Sequence, residues 1–429
     1  MKITVHRGTH EIGGTCVELV SQGFHLLLDY GLPLVDGAGG DFILPAGASR
    51  ESLLDQGILH DIPAVHGSYN GNAAVLISHA HPDHYGLLPF LEPQVPVYAS
   101  LGTAELMKAT ALFVPRAGEP RELEVTKAWE PVVIGPFRVT PYLVDHSAPD
   151  ALAFLIEAEG KTLFYTGDFR ATGRKRKLFE RLVAEPPGEV DLLLVEGTMF
   201  GREGEAVRTE DELEEHLTAR LSHSDNLAAL FASGQNLDRL VTAYRAALRS
   251  GRTLVIDLYV AWVLERLQVV SDRIPRPGWE NMAIKYWRNH ARTLIDAGHK
   301  RFLYKHRDSK VGVDEIAAQP SGYLVHGRDN SLFPVLTKRL PDPAGIDIYW
   351  SMWQGYYTRD SRVREYAERY GIEVEQLHTS GHAGVTHLTQ LIEALAPKEL
   401  LPVHTFHPGK FNAVHSNVIE LRDGEVLSL

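Results

Sequence analysis

Four metal-competent side chains stand within six residues, in His79-Ala80-His81-Pro82-Asp83-His84. Two imidazoles, a carboxylate and a third imidazole suit zinc, and the set can serve two adjacent ions rather than one. A lone His-x-His beside a strand is commonly an exposed loop. The full His-x-His-x-Asp-His is much harder to obtain by accident. More residues of the same types follow far downstream, in Asp145-His146, Gly167-Asp168, His378-Thr379-Ser380-Gly381-His382 and Val403-His404. The chain holds 21 histidines in 429 residues, and several of them end apolar runs.

Those runs are the elements that must hold the chemistry in place. Ala73-Ala74-Val75-Leu76-Ile77-Ser78 reads as a buried strand leading into His79. Side chains alternate along extended backbone, so His79 and His81 share a face. Pro82 stops the strand, and the turn brings Asp83 and His84 to a neighbouring position. Phe137 to Val144 is a strand that delivers His146. Leu152–Glu157 and Lys161–Thr166 form a hairpin around Gly160 that delivers Asp168. Asp191–Val195 ends at Glu196, and Lys398–Pro402 runs into His404. Earlier, Ile3–Val5, Cys16–Val20 and Phe24–Leu28 are short strands, the last running into Asp29. Residues 32–72 read as a long loop with one short helix near Arg50, and helices are predicted over Leu87–Glu92 and Ala99–Leu112.

From about residue 205 the texture changes to longer helical segments alternating with short strands, which predicts a parallel α/β unit. The site histidines return only after it. This divides the chain into a domain of residues 1–204 and 371–429 and an inserted domain of residues 205–370.

Composition narrows the function classes. With 44% hydrophobic and 23% charged residues the chain reads as globular. No apolar run approaches the ~20 residues that span a bilayer. A single cysteine, Cys16, excludes an internal disulfide framework. The N-terminus passes directly into a strand without a signal-peptide pattern, so a cytoplasmic location is expected. A net charge of −12 argues against a general polyanion binder but leaves room for a local basic channel. Two clusters could supply that potential: Arg174-Lys175-Arg176-Lys177, and Lys300, Arg301, Lys305, Arg307 and Lys310. Ser233-Gly234 and Ser380-Gly381 precede predicted helices, so their N–H groups could cradle a phosphate or act as ordinary caps.

The His-x-His-x-Asp-His motif resembles the signature of the metallo-β-lactamase superfamily. Glu196, the long insertion, Ser380-Gly381-His382-Ala383 and Pro402-Val403-His404 resemble the β-CASP nuclease branch, and most closely ribonuclease J and the cleavage and polyadenylation nucleases. The resemblance covers nearly the whole chain. It implies an αββα sandwich carrying an inserted α/β β-CASP domain. It also implies two zinc ions, with Mn2+ or Mg2+ as alternatives, held by His79, His81 and His146 and by Asp83, His84 and His404, with Asp168 bridging. Asp29 would orient a ligand histidine. Asp83, Glu196 and His382 would be catalytic, with His382 the general acid protonating the leaving 3′ oxygen. The implied reaction is hydrolysis of RNA phosphodiesters, exo- or endonucleolytic, by a two-metal-activated hydroxide. A histidine at 404 is typical of RNA-acting members, which tilts the expected partner to single-stranded RNA, with a homodimer allowed.

Two other readings are compatible with part of the pattern. A hydrolase of a small lactone or thioester would need only the early metal motifs. A non-catalytic RNA-processing scaffold would be expected to have lost ligands, and all seven are present. The chain departs from ribonuclease J in ending soon after His404, where that family's C-terminal domain would follow. The Glu196-Gly197-Thr198 segment is more like the polyadenylation-type nucleases. The role of His407 and Lys410 is open.

Overall fold

The structure, a computed structural model, describes every residue except 37–39, 115–120, 203–206, 331–332 and 360. Contacts divide it into two compact units. The first comprises Met1–Ala171, Lys175–Glu205 and Gly381–Leu429; the second, Thr172–Arg174 and Ala206–Ser380.

The first unit is a sandwich of two mixed sheets. One contains β1 (Lys2–Arg7), β2 (Cys16–Ser21), β3 (Phe24–Leu28), β4 (Ala73–Leu76), β5 (Val97–Ser100) and β6 (Glu124–Thr126), with β20 (Val426–Ser428) beside β1. Strands β20 to β3 are antiparallel, and β3 to β6 are parallel. The other sheet contains β7 (Val132–Ile134), β8 (Phe137–Leu143), β9 (Leu152–Ala158), β10 (Lys161–Tyr165), β11 (Leu192–Glu196) and β19 (Glu399–Val403), in the order β19-β11-β10-β9-β8-β7.

Period-2 alternation builds the layer between the sheets. Ile3 and Val5, Val17 and Leu19, Leu26 and Leu28, and Ala74 and Leu76 meet Val139, Phe154, Ile156, Leu163, Leu192, Leu194 and Val403 in one buried cluster. Intervening residues of the second sheet, Phe164, Leu193, Val195 and Leu400, face outward into another cluster. There they pack under the helices Arg176–Ala184 and Val385–Leu395, through Phe179, Leu182, Leu388 and Leu391. Burial on both faces explains why these strands read as continuous apolar runs. The αββα sandwich expected from the resemblance is present.

Some sequence expectations shift locally. The long early loop carries two short helices, Arg50–Asp55 and Pro63–His66. The helix expected over Leu87–Glu92 is a single 3-10 turn at Leu88–Phe90, since Pro89 and Pro93 limit continuation. The next helix begins at Leu101, capped by the Ser100 side chain.

The second unit is a seven-stranded, all-parallel sheet in the order β15-β14-β13-β16-β12-β17-β18. Its strands are β12 (Leu227–Phe231), β13 (Thr253–Asp257), β14 (Met282–Lys285), β15 (Lys310–Val311), β16 (Tyr323–Gly327), β17 (Ile346–Trp350) and β18 (Val374–Gln376). The first helix, Glu210–Ser222, starts with a capping box between Thr209 and Glu212.

One fully buried ion pair fastens this unit. Arg239 donates through Nε and Nη2 to the two oxygens of Glu210, at 3.1 and 2.9 Å, and through Nη1 to the Leu377 carbonyl at 3.0 Å. Thr242 Oγ1 donates to Glu210 Oε2 at 2.7 Å. Arg239→Met should leave a buried carboxylate uncompensated and destabilise the fold by roughly 3–5 kcal/mol. The double variant Arg239→Met/Glu210→Leu should recover most of that loss. Denaturant midpoints of the three proteins check this, and an unchanged midpoint for the single variant refutes it.

Candidate metal centre

All the strand-end residues singled out above that lie in the first unit converge at the carboxyl ends of β3, β4, β8, β10, β11 and β19. Close backbone approaches set the frame. Asp29 donates its N–H to the Leu76 carbonyl at 2.9 Å, and Tyr30 donates to the His84 carbonyl at 2.7 Å. Gly31 passes so near that a Cβ there would sit 1.7 Å from the Asp83 carbonyl oxygen, so only glycine fits. Leu152 donates to the Ser78 carbonyl at 2.9 Å and ties the end of β4 to β9 in the facing sheet.

Three imidazole nitrogens meet first. His81 Nδ1 lies 3.0 Å from His79 Nε2 and 3.2 Å from His146 Nε2. Nitrogens held tetrahedrally at about 2.0–2.1 Å from an ion stand roughly 3.3 Å from one another, close to this spacing. The outer nitrogens are already engaged. His146 Nδ1 donates to the Gly381 carbonyl at 2.6 Å, and His79 Nδ1 lies 3.0 Å from Ser78 Oγ. This leaves lone pairs directed inward, as a metal-holding histidine requires. Burial disfavours the charged form of all three rings. It pulls His79 and His146 well below the ordinary histidine range and His81 down to about 4.

The second set lies alongside. Asp83 Oδ2 is 3.7 Å from His84 Nε2 and 3.9 Å from His404 Nε2. Asp168 faces both sets: its Oδ2 lies 3.7 Å from His79, 3.2 Å from His84 and 3.8 Å from His404. Burial opposes the Asp168 carboxylate, but His404, His84 and His382 around it hold its pKa well below the usual range. His84 Nε2 and Asp168 Oδ1 are both buried without a hydrogen-bond partner. Orphaned inward-facing donor atoms of a histidine and a carboxylate fit a divalent cation, and the residues present suit one or more such ions.

A layer of supporting groups holds these rings, and sequence reasoning found only Asp29 among them. Asp29 is fully buried. It accepts from the Ser78 N–H (2.7 Å), Ser78 Oγ (2.7 Å), His84 Nδ1 (2.8 Å) and the Tyr165 hydroxyl (2.6 Å). Thr15 Oγ1 lies 2.8 Å from His404 Nδ1. Asp145 and Arg170, both buried, form an ion pair at 3.6 Å behind His146 and Asp168. Cys16 is buried as well, and burial pushes its thiol pKa up, away from any nucleophilic state.

His382 and Glu196 form a separate pair at the edge of the cluster. His382 Nδ1 lies 3.2 Å from Glu196 Oε1 and 3.6 Å from Asp168 Oδ2. Burial works against protonation of His382, but the Glu196 and Asp168 carboxylates outweigh it and push its pKa up to about 9. Glu196 also accepts from the Thr198 N–H at 3.0 Å. The ring of His382 stacks on that of His404 at 5.8 Å.

The anion-cradle residues stand differently from expectation. The helices after them begin at Val385 and Leu237, so neither Ser380-Gly381 nor Ser233-Gly234 supplies first-turn N–H groups. Gly381 instead presents its carbonyl to His146. Ser233 Oγ accepts from the Gln235 N–H at 3.2 Å, within a local turn. The basic run is not free either. Arg174 donates to Glu214 Oε2 and Thr242 Oγ1, both at 2.7 Å, inside the second unit. In the downstream cluster Lys305 pairs with Glu265, while Lys300 and Lys310 lie over the rings of Tyr304 and Tyr286.

Comparison with known proteins adds to this geometry. Residues 51–232 match a family model described as a β-lactamase superfamily domain. Ribonuclease J of Mycobacterium tuberculosis is 27% identical over 94% of this chain and 68% of its own length. Ribonuclease J of Sinorhizobium meliloti is 28% identical over 87% of this chain and 66% of its own. The transcription termination factor FttA of Methanothermobacter thermautotrophicus is 23% identical over 92% of this chain and 65% of its own. The chain thus spans about two thirds of the length of these curated relatives. A solved structure, a protein of unknown function from Enterococcus faecalis V583, superposes with a TM-score of 0.80 at 23% identity. That match covers 100% of this chain and 99% of the other, and it concerns the fold alone. Among the described residues no helix is long and apolar enough to cross a membrane.

Proposed function

We propose that this chain, a member of the metallo-β-lactamase superfamily whose relatives include the ribonucleases J, is a zinc-dependent ribonuclease acting on single-stranded RNA. The observation that carries this reading is the pair of inward-facing ligand sets that share one buried carboxylate, Asp168. His79, His81 and His146 would hold one ion, Asp83, His84 and His404 a second, and Asp168 both. Ions so held would supply Lewis acidity, which would acidify an attacking water and neutralise charge on a phosphoryl group.

The protein's own groups do the remaining work. Gly381, Ser78, Asp29 and Thr15 fix the rings so that their lone pairs need no rearrangement when charge develops. His382, steadied by Glu196, is the proton donor to the leaving oxygen of the cleaved ester. Glu196 does not meet the reacting atoms in this scheme; it orients His382. A lactone or thioester hydrolase would need the histidine cluster but has no use for this further histidine–glutamate pair.

The test combines metal content with digestion of end-labelled single-stranded RNA. Two zinc ions per folded chain and RNA cleavage abolished by a chelator and restored by zinc are the expected results. Folded protein holding only traces of metal, or one that opens lactones and thioesters but leaves RNA intact, would refute the reading. Chelation should also lower the melting temperature, and zinc at ~100 times its dissociation constant should return about 2.7 kcal/mol per site.

A further inference from the structure

The second unit carries a groove that shares no residue with the metal centre. Its walls are the short helix Phe333–Thr337 and the helix Arg362–Tyr370, and the loop residues Leu340 and Pro343 complete the lining. The longer helix divides its faces. Val363 and Ala367 are buried in the core of the unit. Arg362, Tyr366 and Arg369, at spacings of four and three, form a second stripe that faces the groove. The Tyr366 hydroxyl donates to the Pro343 carbonyl at 2.6 Å and fixes the loop to the helix. The space so framed is about 690 Å³ and is open to solvent on one side.

The lining combines an apolar floor with a basic rim. Phe333 and Leu340 are buried, whereas Lys338, Arg362 and Arg369 are exposed. Among the described residues none of these three cations has an acidic partner, although the neighbouring Arg339 and Arg364 pair with Asp314 and Glu368. Glu365 is the acidic member of the lining. Asp342, nearby, is turned into its own loop, where its Oδ1 accepts the Ala344 N–H at 2.9 Å. On a chain of net charge −12 this is a local reversal of sign. The aromatic floor does not offer a flat face. Tyr366 meets Phe333 at 75° and Tyr370 at 51°, with ring centres 5.2 and 4.7 Å apart. Rings so inclined receive a single bulky side chain better than a parallel stack.

We propose that this groove docks a partner protein by a short, extended, acidic segment of that partner. Two carboxylates of the segment pair with Arg362 and Arg369, and one large apolar side chain between them sits on Phe333, Leu340 and Tyr366. The spacing supports this occupant. Seven residues of helix separate the two arginines by about 10.5 Å along the axis. In an extended peptide the first, third and fifth residues share a face, and the outer two lie about 13 Å apart. The long arginine side chains span the difference. A small molecule is usually enclosed by a mostly apolar pocket, whereas an open groove with charges at both ends suits a chain laid across it. The proposal stands apart from the ribonuclease reading, since it uses none of the metal-centre residues.

The full chain, with a chelator present, is titrated into fluorescein-labelled peptides Glu-Ser-X-Ser-Glu in which X is Phe, Leu or Ser. The Phe and Leu peptides should bind on the order of 10–100-fold more tightly than the Ser peptide, the worth of burying one large apolar side chain. The double variant Arg362→Glu/Arg369→Glu should bind the Phe peptide about tenfold more weakly, because two exposed attractions become repulsions. It should also bind Lys-Ser-Phe-Ser-Lys better than the parent does, a gain that a misfolded protein would not show. A parent that binds none of the three acidic peptides, or a double variant whose charge preference does not invert, would overturn the proposal. An oligoribonucleotide is the competitor. It should leave the Phe peptide in place. Displacement by the oligonucleotide, lost in the double variant, would make the groove a general polyanion track and overturn the proposal as well.

Discussion

Replacing His382 by alanine should lower RNA cleavage by roughly 10²–10⁴-fold, the contribution of a positioned proton donor, and leave the metal content unchanged. The reasoning turns on where the ring sits. His382 is held by Glu196 at 3.2 Å and is 3.6 Å from Asp168, so it is near the metal ligands without being enclosed by them. With Asp168 and His404 it also forms a group that is close enough to hold an ion itself. The metal assay therefore decides between two roles. If zinc content falls with activity, His382 is a ligand. If zinc stays and activity falls, a substrate with a leaving group that needs no proton separates acid catalysis from binding. The variant should cleave that substrate nearly as well as the parent does. Equal losses on both substrates would rule out the proton-donor role. Glu196→Gln should follow His382→Ala in direction, more mildly, because the amide keeps one acceptor for the ring. His404→Ala should differ from both by losing metal, since its Nε2 faces Asp83 and Asp168 directly.

The inward-facing residues were legible in the sequence because their spacing is local and their strands are strongly patterned. Val75 and Leu76 before His79, and Phe164 and Tyr165 before Asp168, announce a strand and its end in a few letters. Of the groups that hold those residues only Asp29 was legible, and neither its partners nor the other supports were, for two physical reasons. Their partners are remote in the chain: Asp29 meets Ser78 and Tyr165, which lie on β4's extension and β10. And several contacts are made by backbone, such as the Gly381 carbonyl under His146, and a carbonyl carries no letter of its own. Backbone conformation is equally silent. Asp29 and His404 both adopt a left-handed conformation, with φ of 59° and 53°. Non-glycine residues accept this at some cost, most readily Asp, Asn and His, and such strain gathers at functional sites. The end of the inserted segment was hard to read for a related reason. β18 is three residues long and half-buried, so it carries no periodicity, yet it pairs with β17 and carries the second unit to Ser380.

The Asp29 carboxylate should prove the most sensitive position outside the ligands themselves. It has no exposure and accepts four hydrogen bonds, from Ser78 twice, His84 and Tyr165. Asp29→Ala would orphan these donors in a buried site, at about 1–3 kcal/mol each. Their sum is comparable with the roughly 5–15 kcal/mol that holds a whole protein folded, so little folded protein is expected from that variant. Asp29→Asn is the informative change. Asparagine tolerates the left-handed backbone and keeps the shape, but its amide nitrogen must face one of the donors that the carboxylate had satisfied. With the amide nitrogen in the Oδ1 place it opposes the Ser78 N–H, and in the Oδ2 place it opposes His84 Nδ1; either way the support of His84, or of the strand end beside it, is weakened. The folded Asn variant should bind zinc about 10–100-fold more weakly. At limiting zinc its RNA cleavage should fall by a similar factor, and excess zinc should restore most of it. Tyr165→Phe removes one donor and leaves the other three contacts in place. It should cost about 1 kcal/mol of stability and little metal affinity. Normal zinc affinity in Asp29→Asn would mean that His84 is oriented by its own burial, and that Asp29 serves the fold rather than the metal.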